Sequence, residues 1–242
     1  MKKIFLYMAF CSLAIISCRK DGVVEEIPEV SIDTQNSYDD QAAQNFLETH
    51  YLDEKGKIKD YVETDTVNKK LSKLNPVILP SGVIYIIRAG AQPTPGNPIG
   101  TNDVIRLMSI SNSYVAAKTD DKVKFESAVN FRNTISTTGT PEADPYYFYT
   151  KNSFITSFNT KYKTSYDHSF FEIEGFREAI QKFKAFDLSD EAGYNLQGVI
   201  IVPSRAAYGR DIHYSSGMSY RNRSFVFAVQ IYKTKARTAA ED

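Results

Sequence analysis

The sequence predicts an α+β protein, a β-rich domain behind one N-terminal helix, on three observations. Ala42, Ala43, Phe46, Leu47, His50 and Tyr51 recur at helical spacing. Later runs such as Val83-Ile84-Tyr85-Ile86-Ile87, Val199-Ile200-Ile201-Val202 and Phe225-Val226-Phe227 have the short, β-branched and aromatic character of strands. The composition carries 15 Phe and 16 Tyr but no Trp, which suits a β-rich domain with an aromatic pocket.

The elements follow in order. Lys2 and Lys3 precede an apolar run from Ile4 to Ile16, closed by Ser17-Cys18, the pattern of a bacterial lipoprotein signal. The run is shorter than the ~20 residues a transmembrane helix needs, so residues 1–17 are expected to be cleaved and Cys18 to become a lipid anchor. Cysteine occurs only at Cys11 and Cys18, which leaves the mature domain without disulfide or thiol chemistry. Residues 18–38, rich in Asp, Glu, Ser, Gln and Asn, read as a flexible tether. Asp39 and Asp40 are expected to cap the helix that opens an extension over residues 39–75, ending in an Asp53-Glu54-Lys55-Gly56 turn.

The main domain is expected over residues 76–237, with a tail over 238–242. Residues 89–100 form a connection with three prolines, followed by strand candidates at 103–110 and 123–125. Residues 128–168, polar and Tyr-rich with weak periodicity, read as a long insertion. Residues 174–186 return to helical spacing through Phe176, Ala179, Ile180 and Phe183. Lys plus Arg and Asp plus Glu are 29 each. With no basic stripe, nucleic acid is not an expected partner. His50, His168 and His213 lack metal-site spacing, and no phosphate loop, dinucleotide fingerprint or serine-nucleophile elbow occurs.

Four stretches in one order carry a resemblance: Leu79-Pro80-Ser81-Gly82-Val83; Lys124-Phe125-Glu126-Ser127; Ile173-Glu174-Gly175-Phe176; and Ile201-Val202-Pro203-Ser204-Arg205-Ala206-Ala207-Tyr208-Gly209 with Phe225-Val226-Phe227. Together they resemble FKBP-type peptidyl-prolyl cis-trans isomerases, and the preceding helix and signal resemble the lipoprotein isomerases of Bacteroidetes. The resemblance implies an FKBP-like twisted antiparallel sheet wrapped around one short helix, with the helical extension and the insertion added. It implies Tyr208 and Glu126 as catalytic residues and Phe125, Ile173, Phe176, Phe227 and Leu107 as the substrate pocket. No cofactor or metal is implied. Rotation about an X-Pro bond meets a barrier of ~18–20 kcal/mol from lost amide resonance. A dry aromatic pocket with a fixed hydroxyl donor can favour the twisted imide over the planar one.

Three departures bear on activity. Leu107 stands where the family has a tyrosine, Glu126 is one methylene longer than the family's aspartate, and Ser219-Tyr220-Arg221-Asn222 replaces a Pro-Pro turn. Taken singly, Phe176 and Phe227 are also ordinary core aromatics. Two readings follow. One is an outer-membrane-anchored isomerase or folding factor, on the periplasmic side or the cell surface, with proline-containing polypeptide clients. The other is a catalytically weak FKBP-like accessory subunit of an outer-membrane export, assembly or uptake machine. In that second reading Tyr114, Tyr146, Tyr147, Tyr149, Tyr162 and Tyr166 supply a protein interface.

Overall fold

The computed structural model describes residues 29–211, 213–215 and 218–242. The signal and Cys18 lie outside the described residues.

Helix α1 spans Ile32–Thr49. It begins seven residues before the predicted cap, because the Ser31 side chain accepts a hydrogen bond from the Thr34 amide and Asp33 favours the first turn. Residues 32–38 are therefore helical rather than tether. Gln35, Asp39, Ala42, Ala43, Phe46 and Leu47 form its buried face. Asp39, expected as a cap, sits inside the helix. Its carboxylate accepts from the Ser204 amide (2.8 Å), the Ser204 hydroxyl (2.6 Å) and Gln35 Nε2 (3.0 Å), which fastens α1 to the turn before Tyr208.

Burial raises the Asp39 pKa above its ordinary value of 3.8, and the hydrogen bonds from Ser204 and Gln35 oppose that rise. An acid raised in the folded state adds stability below 3.8 that is lost as pH climbs through the raised value. Asp39→Asn keeps the acceptor for Ser204, so it is expected to remove this pH dependence. At neutral pH it is expected to match the wild type or exceed it by about 1 kcal/mol. Urea midpoints measured across that pH range check this.

The main sheet has seven strands: β1 (Val77–Ile78), β2 (Ile84–Ile87), β3 (Val104–Thr119), β4 (Lys122–Asn133), β5 (Glu142–Ala143), β6 (Gly198–Val202) and β7 (Arg223–Lys235). Every pairing is antiparallel, in the order β1-β2-β6-β7-β3-β4, with β5 also on β3. All five residues of β6 and the first ten of β7 are buried, since both faces of the sheet centre are covered. That is why these strands read as continuous apolar runs. On one face Ile84, Ile86, Val199, Ile201 and Val226 pack with Phe46 and Leu47 of α1. On the other, Val83, Ile200, Val202, Phe225, Phe227 and Val229 pack around the short helix α4 (Glu174–Ile180). The fold is thus α+β, a twisted antiparallel sheet around one short helix with a second helix behind it.

Three sequence expectations shift. The strand expected at 123–125 extends from Lys122 to Asn133, so the insertion starts near 134 rather than 128. Two bulges, between Ser111 and Asn112 and between Ser113 and Val115, break the period-two pattern that would have revealed the strand. Inside the insertion lies an unforeseen helix, α2 (Asn152–Tyr162), followed by the turn α3 (His168–Phe171). Helix α4 ends at Ile180, not 186, because Lys182-Phe183-Lys184-Ala185-Phe186 alternates polar and apolar. Lys184–Ala185 pairs as a short strand with Asn97–Pro98. At the start of α4, a Cβ on Gly175 would stand 2.7 Å from both Val202 and Val83, so only glycine lets the helix approach the sheet this closely.

Candidate functional site

The strand register and the Gly175 contact bring five of the seven predicted residues together. Ile173, Phe176, Tyr208 and Phe227 share the core on the α4 face, and Leu107, paired with Ile231 across β3 and β7, joins the same cluster. The rings of Phe176 and Phe227 stand 4.5 Å apart.

Two predicted residues do not arrive there. Phe125 lies on the opposite face of the sheet, where it packs on Phe46 of α1 (5.9 Å) and Tyr114 (5.2 Å). The cause is the positive φ of 50° at Ser127, which accompanies the second bulge and reverses the facing of the residues before it. Glu126 is partly exposed and pairs with Lys124 at 3.1 Å instead of polarising the cluster. The place expected for Phe125 is taken by Phe131, whose ring lies 5.0 Å from Phe225, 5.1 Å from Tyr147 and 6.0 Å from Phe227.

The concavity is filled by the chain itself. Tyr147, from the turn after β5, is fully buried, 5.4 Å from Phe176 and 6.0 Å from Phe227. Its carbonyl accepts from the Ile173 amide at 2.8 Å. The Tyr208 hydroxyl donates to the Phe171 carbonyl at 3.3 Å, and its ring stacks on His213 at 4.1 Å. Burial holds the Tyr208 and Tyr147 phenols far above the usual range, so both remain neutral donors. Ile173, Phe176, Phe227 and Tyr147 have no exposed surface, and Tyr208 is 4% exposed.

Open space lies beside this core. A cavity of about 650 Å³ is walled by Tyr146, Tyr149, Phe154, Phe158, Phe170 and Phe171, with Thr150, His213, Lys151 and Asp144 completing it. Its size and aromatic lining are those of a ligand pocket. Among the described residues, the hydroxyl of Tyr146 and Nδ1 of His213 are buried without a close hydrogen-bond partner, and both residues belong to the cavity wall. Burial pushes the His213 pKa below its ordinary value, partly offset by Asp211, so the ring is neutral near pH 7.

The wall is held by Glu172, itself fully buried. Its carboxylate accepts from the Thr150 amide (2.8 Å) and Arg177 Nη1 (2.5 Å) and contacts His168 Nδ1 (2.7 Å). Sequence reasoning missed this residue and the cavity floor. The Phe170-Phe171 pair beside Glu172 was the available signal, hidden by a segment with no single periodicity. Of the tyrosines expected at an interface, Tyr147 and Tyr149 are buried while Tyr162 and Tyr166 are exposed. The arginines around Tyr208 are paired within the chain. Arg205 pairs with Asp40, and Arg210 and Arg221 pair with Glu29.

No protein-family model and no curated protein matches the sequence. Among solved structures, the chain is similar to FkpA from Escherichia coli, at 17% identity and a TM-score of 0.37, over 66% of this chain and 52% of that one. It is also similar to a peptidyl-prolyl cis-trans isomerase from Pseudomonas syringae pv. tomato, at 10% identity and a TM-score of 0.41, over 86% of this chain and 99% of that one. The chain thus spans about half the length of FkpA.

Proposed function

We propose that this protein is a polypeptide-binding module on an FKBP-like scaffold, with little or no isomerase activity, held at the outer membrane by a lipidated Cys18. Its role is that of a folding factor or accessory subunit for exported proteins. The observation that carries this reading is the state of two hydrogen-bond donors in the cluster, the Tyr208 hydroxyl expected from the resemblance and the Ile173 amide found there in the structure. The Tyr208 hydroxyl and the Ile173 amide both serve the chain's own carbonyls, at 3.3 Å and 2.8 Å, and the Tyr147 ring fills the space between the aromatics. A substrate carbonyl would find neither donor free.

The neighbouring cavity supports binding without such catalysis. It offers apolar and aromatic walls for a proline or aromatic side chain. A second reading, a working isomerase, is favoured by the gathering of Ile173, Phe176, Tyr208 and Phe227 in the order the family resemblance implies.

Exchange NMR on a Xaa-Pro peptide separates the two. The expected result is peptide binding, weakened about tenfold by Phe158→Ser in the cavity wall, with cis/trans exchange at the uncatalysed rate. Tyr208→Phe is expected to cost about 1 kcal/mol of stability through its one hydrogen bond and to leave binding unchanged. Acceleration lost in Tyr208→Phe would instead establish the isomerase.

A further inference from the structure

Helix α2 carries an apolar face that the fold does not cover. Ile155 is its one buried residue, while Phe154 and Tyr162 are 51% and 54% exposed and Tyr166 beyond it is 39% exposed. These rings are contiguous through Phe158, which lies 6.0 Å from Phe154, 4.6 Å from Tyr162 and 6.2 Å from Tyr166. An exposed patch of this kind marks an interaction surface.

The charge on the helix itself is one-sided, with acidic groups only at its two ends, Asp242 at Asn152 and Asp167 and Asp211 beside Tyr166. Residues 151–166 contain Lys151, Lys161 and Lys163 and no acidic residue. Among the described residues, the lysines that form ion pairs are Lys70, Lys118, Lys124, Lys233 and Lys235, so these three are left to solvent. Lys161 Nζ lies 4.9 Å from the Tyr162 ring. Aromatic rings beside long cationic side chains suit the headgroup layer of a bilayer, where the rings enter the acyl boundary and the ammonium groups meet lipid phosphates.

The start of the described chain lies near this patch. Arg210 donates to the Val30 carbonyl and pairs with Glu29 at 3.4 Å, and it lines one cleft with Tyr166 and Phe170. Only ten residues, hence eleven backbone steps, separate Cys18 from Glu29. They reach at most about 36–40 Å when fully extended. A bilayer holding Cys18 would therefore lie within reach of α2.

We infer that the outward face of α2, with Tyr162, Tyr166, Lys161 and Lys163, docks on the surface of a bilayer containing anionic lipid. The leash argument rests on the reading of Cys18 as a lipid anchor. The patch would add a second attachment and orient the domain.

The test uses the unlipidated chain from residue 19, which contains all the described structure. It is floated with vesicles of phosphatidylcholine alone and with vesicles that also contain phosphatidylglycerol. Binding is expected only to the anionic vesicles, weakened by salt, and about tenfold weaker in the Lys161→Glu, Lys163→Glu double variant and in Tyr162→Ser. The lysine pair does not line the cavity, so peptide binding should persist in the double lysine variant, whereas Tyr162 packs on the cavity residue Phe158 and is read by flotation alone. Failure of the folded chain to float with anionic vesicles would overturn the proposal. So would a dimer that Tyr162→Ser dissolves, or preferential capture of an acidic polypeptide by the same lysines. Fatty-acid labelling of Cys18 in cells reads the anchor separately. A missing label would sink the anchor reading and leave the vesicle result to stand on its own.

Discussion

Phe227→Ala is expected to lower the unfolding free energy by about 3–5 kcal/mol. The ring has no exposed surface and lies in the middle of β7, opposite Ile200 on β6 and Ser111 on β3. Phe131, Tyr147, Phe176 and Phe225 surround it at 4.5 to 6.1 Å. These neighbours come from four separate elements and cannot all close on the space left behind, so a cavity term adds to the lost burial. Denaturant unfolding at constant slope is the measurement. A loss below 1 kcal/mol would mean that the ring stands in an open pocket rather than a filled core.

Glu172→Ala is expected to cost about 3 kcal/mol, the lower end of the range for removing one member of a buried ion pair. Arg177 and His168 are partly exposed and can rehydrate, which holds the figure down. The Thr150 amide, buried and dependent on this carboxylate, cannot. Glu172→Gln retains one acceptor and is expected to recover about half of the loss. Glu172 adjoins Phe171 and Ile173, so the Ala variant should also loosen the cavity wall. Proteolysis within 145–171 should quicken before global unfolding does.

The sequence made the central sheet readable because β6 and β7 are covered on both faces and so appear as unbroken apolar runs. The core-facing part of α1 was readable for the matching reason, a clean stripe from Ala42 to Leu47. Its true start was not, since Asp39 is a good cap by residue type and its partner Ser204 lies 165 residues away. The same limit governs the site. Ile173, Phe176, Tyr208 and Phe227 could be grouped only because the stretches that hold them resemble one family's motifs in one order. Phe125 was misplaced because its facing depends on bulges in a strand pairing that no local pattern records. Tyr147 was seen as a surface tyrosine because nothing near it in sequence says that its carbonyl will meet the Ile173 amide.

That last contact has a kinetic and thermodynamic consequence. The Tyr147 segment is bound to the concavity by its own chain, so it competes with any incoming peptide as an intramolecular ligand. Its effective concentration is millimolar or higher. A free peptide arriving at micromolar levels would have to bind the emptied site about a thousandfold more tightly than the segment does merely to share it. A dilute peptide would thereby be kept out of the Phe176–Phe227 concavity, and under the proposed function the aromatic cavity next to it is the surface left for one.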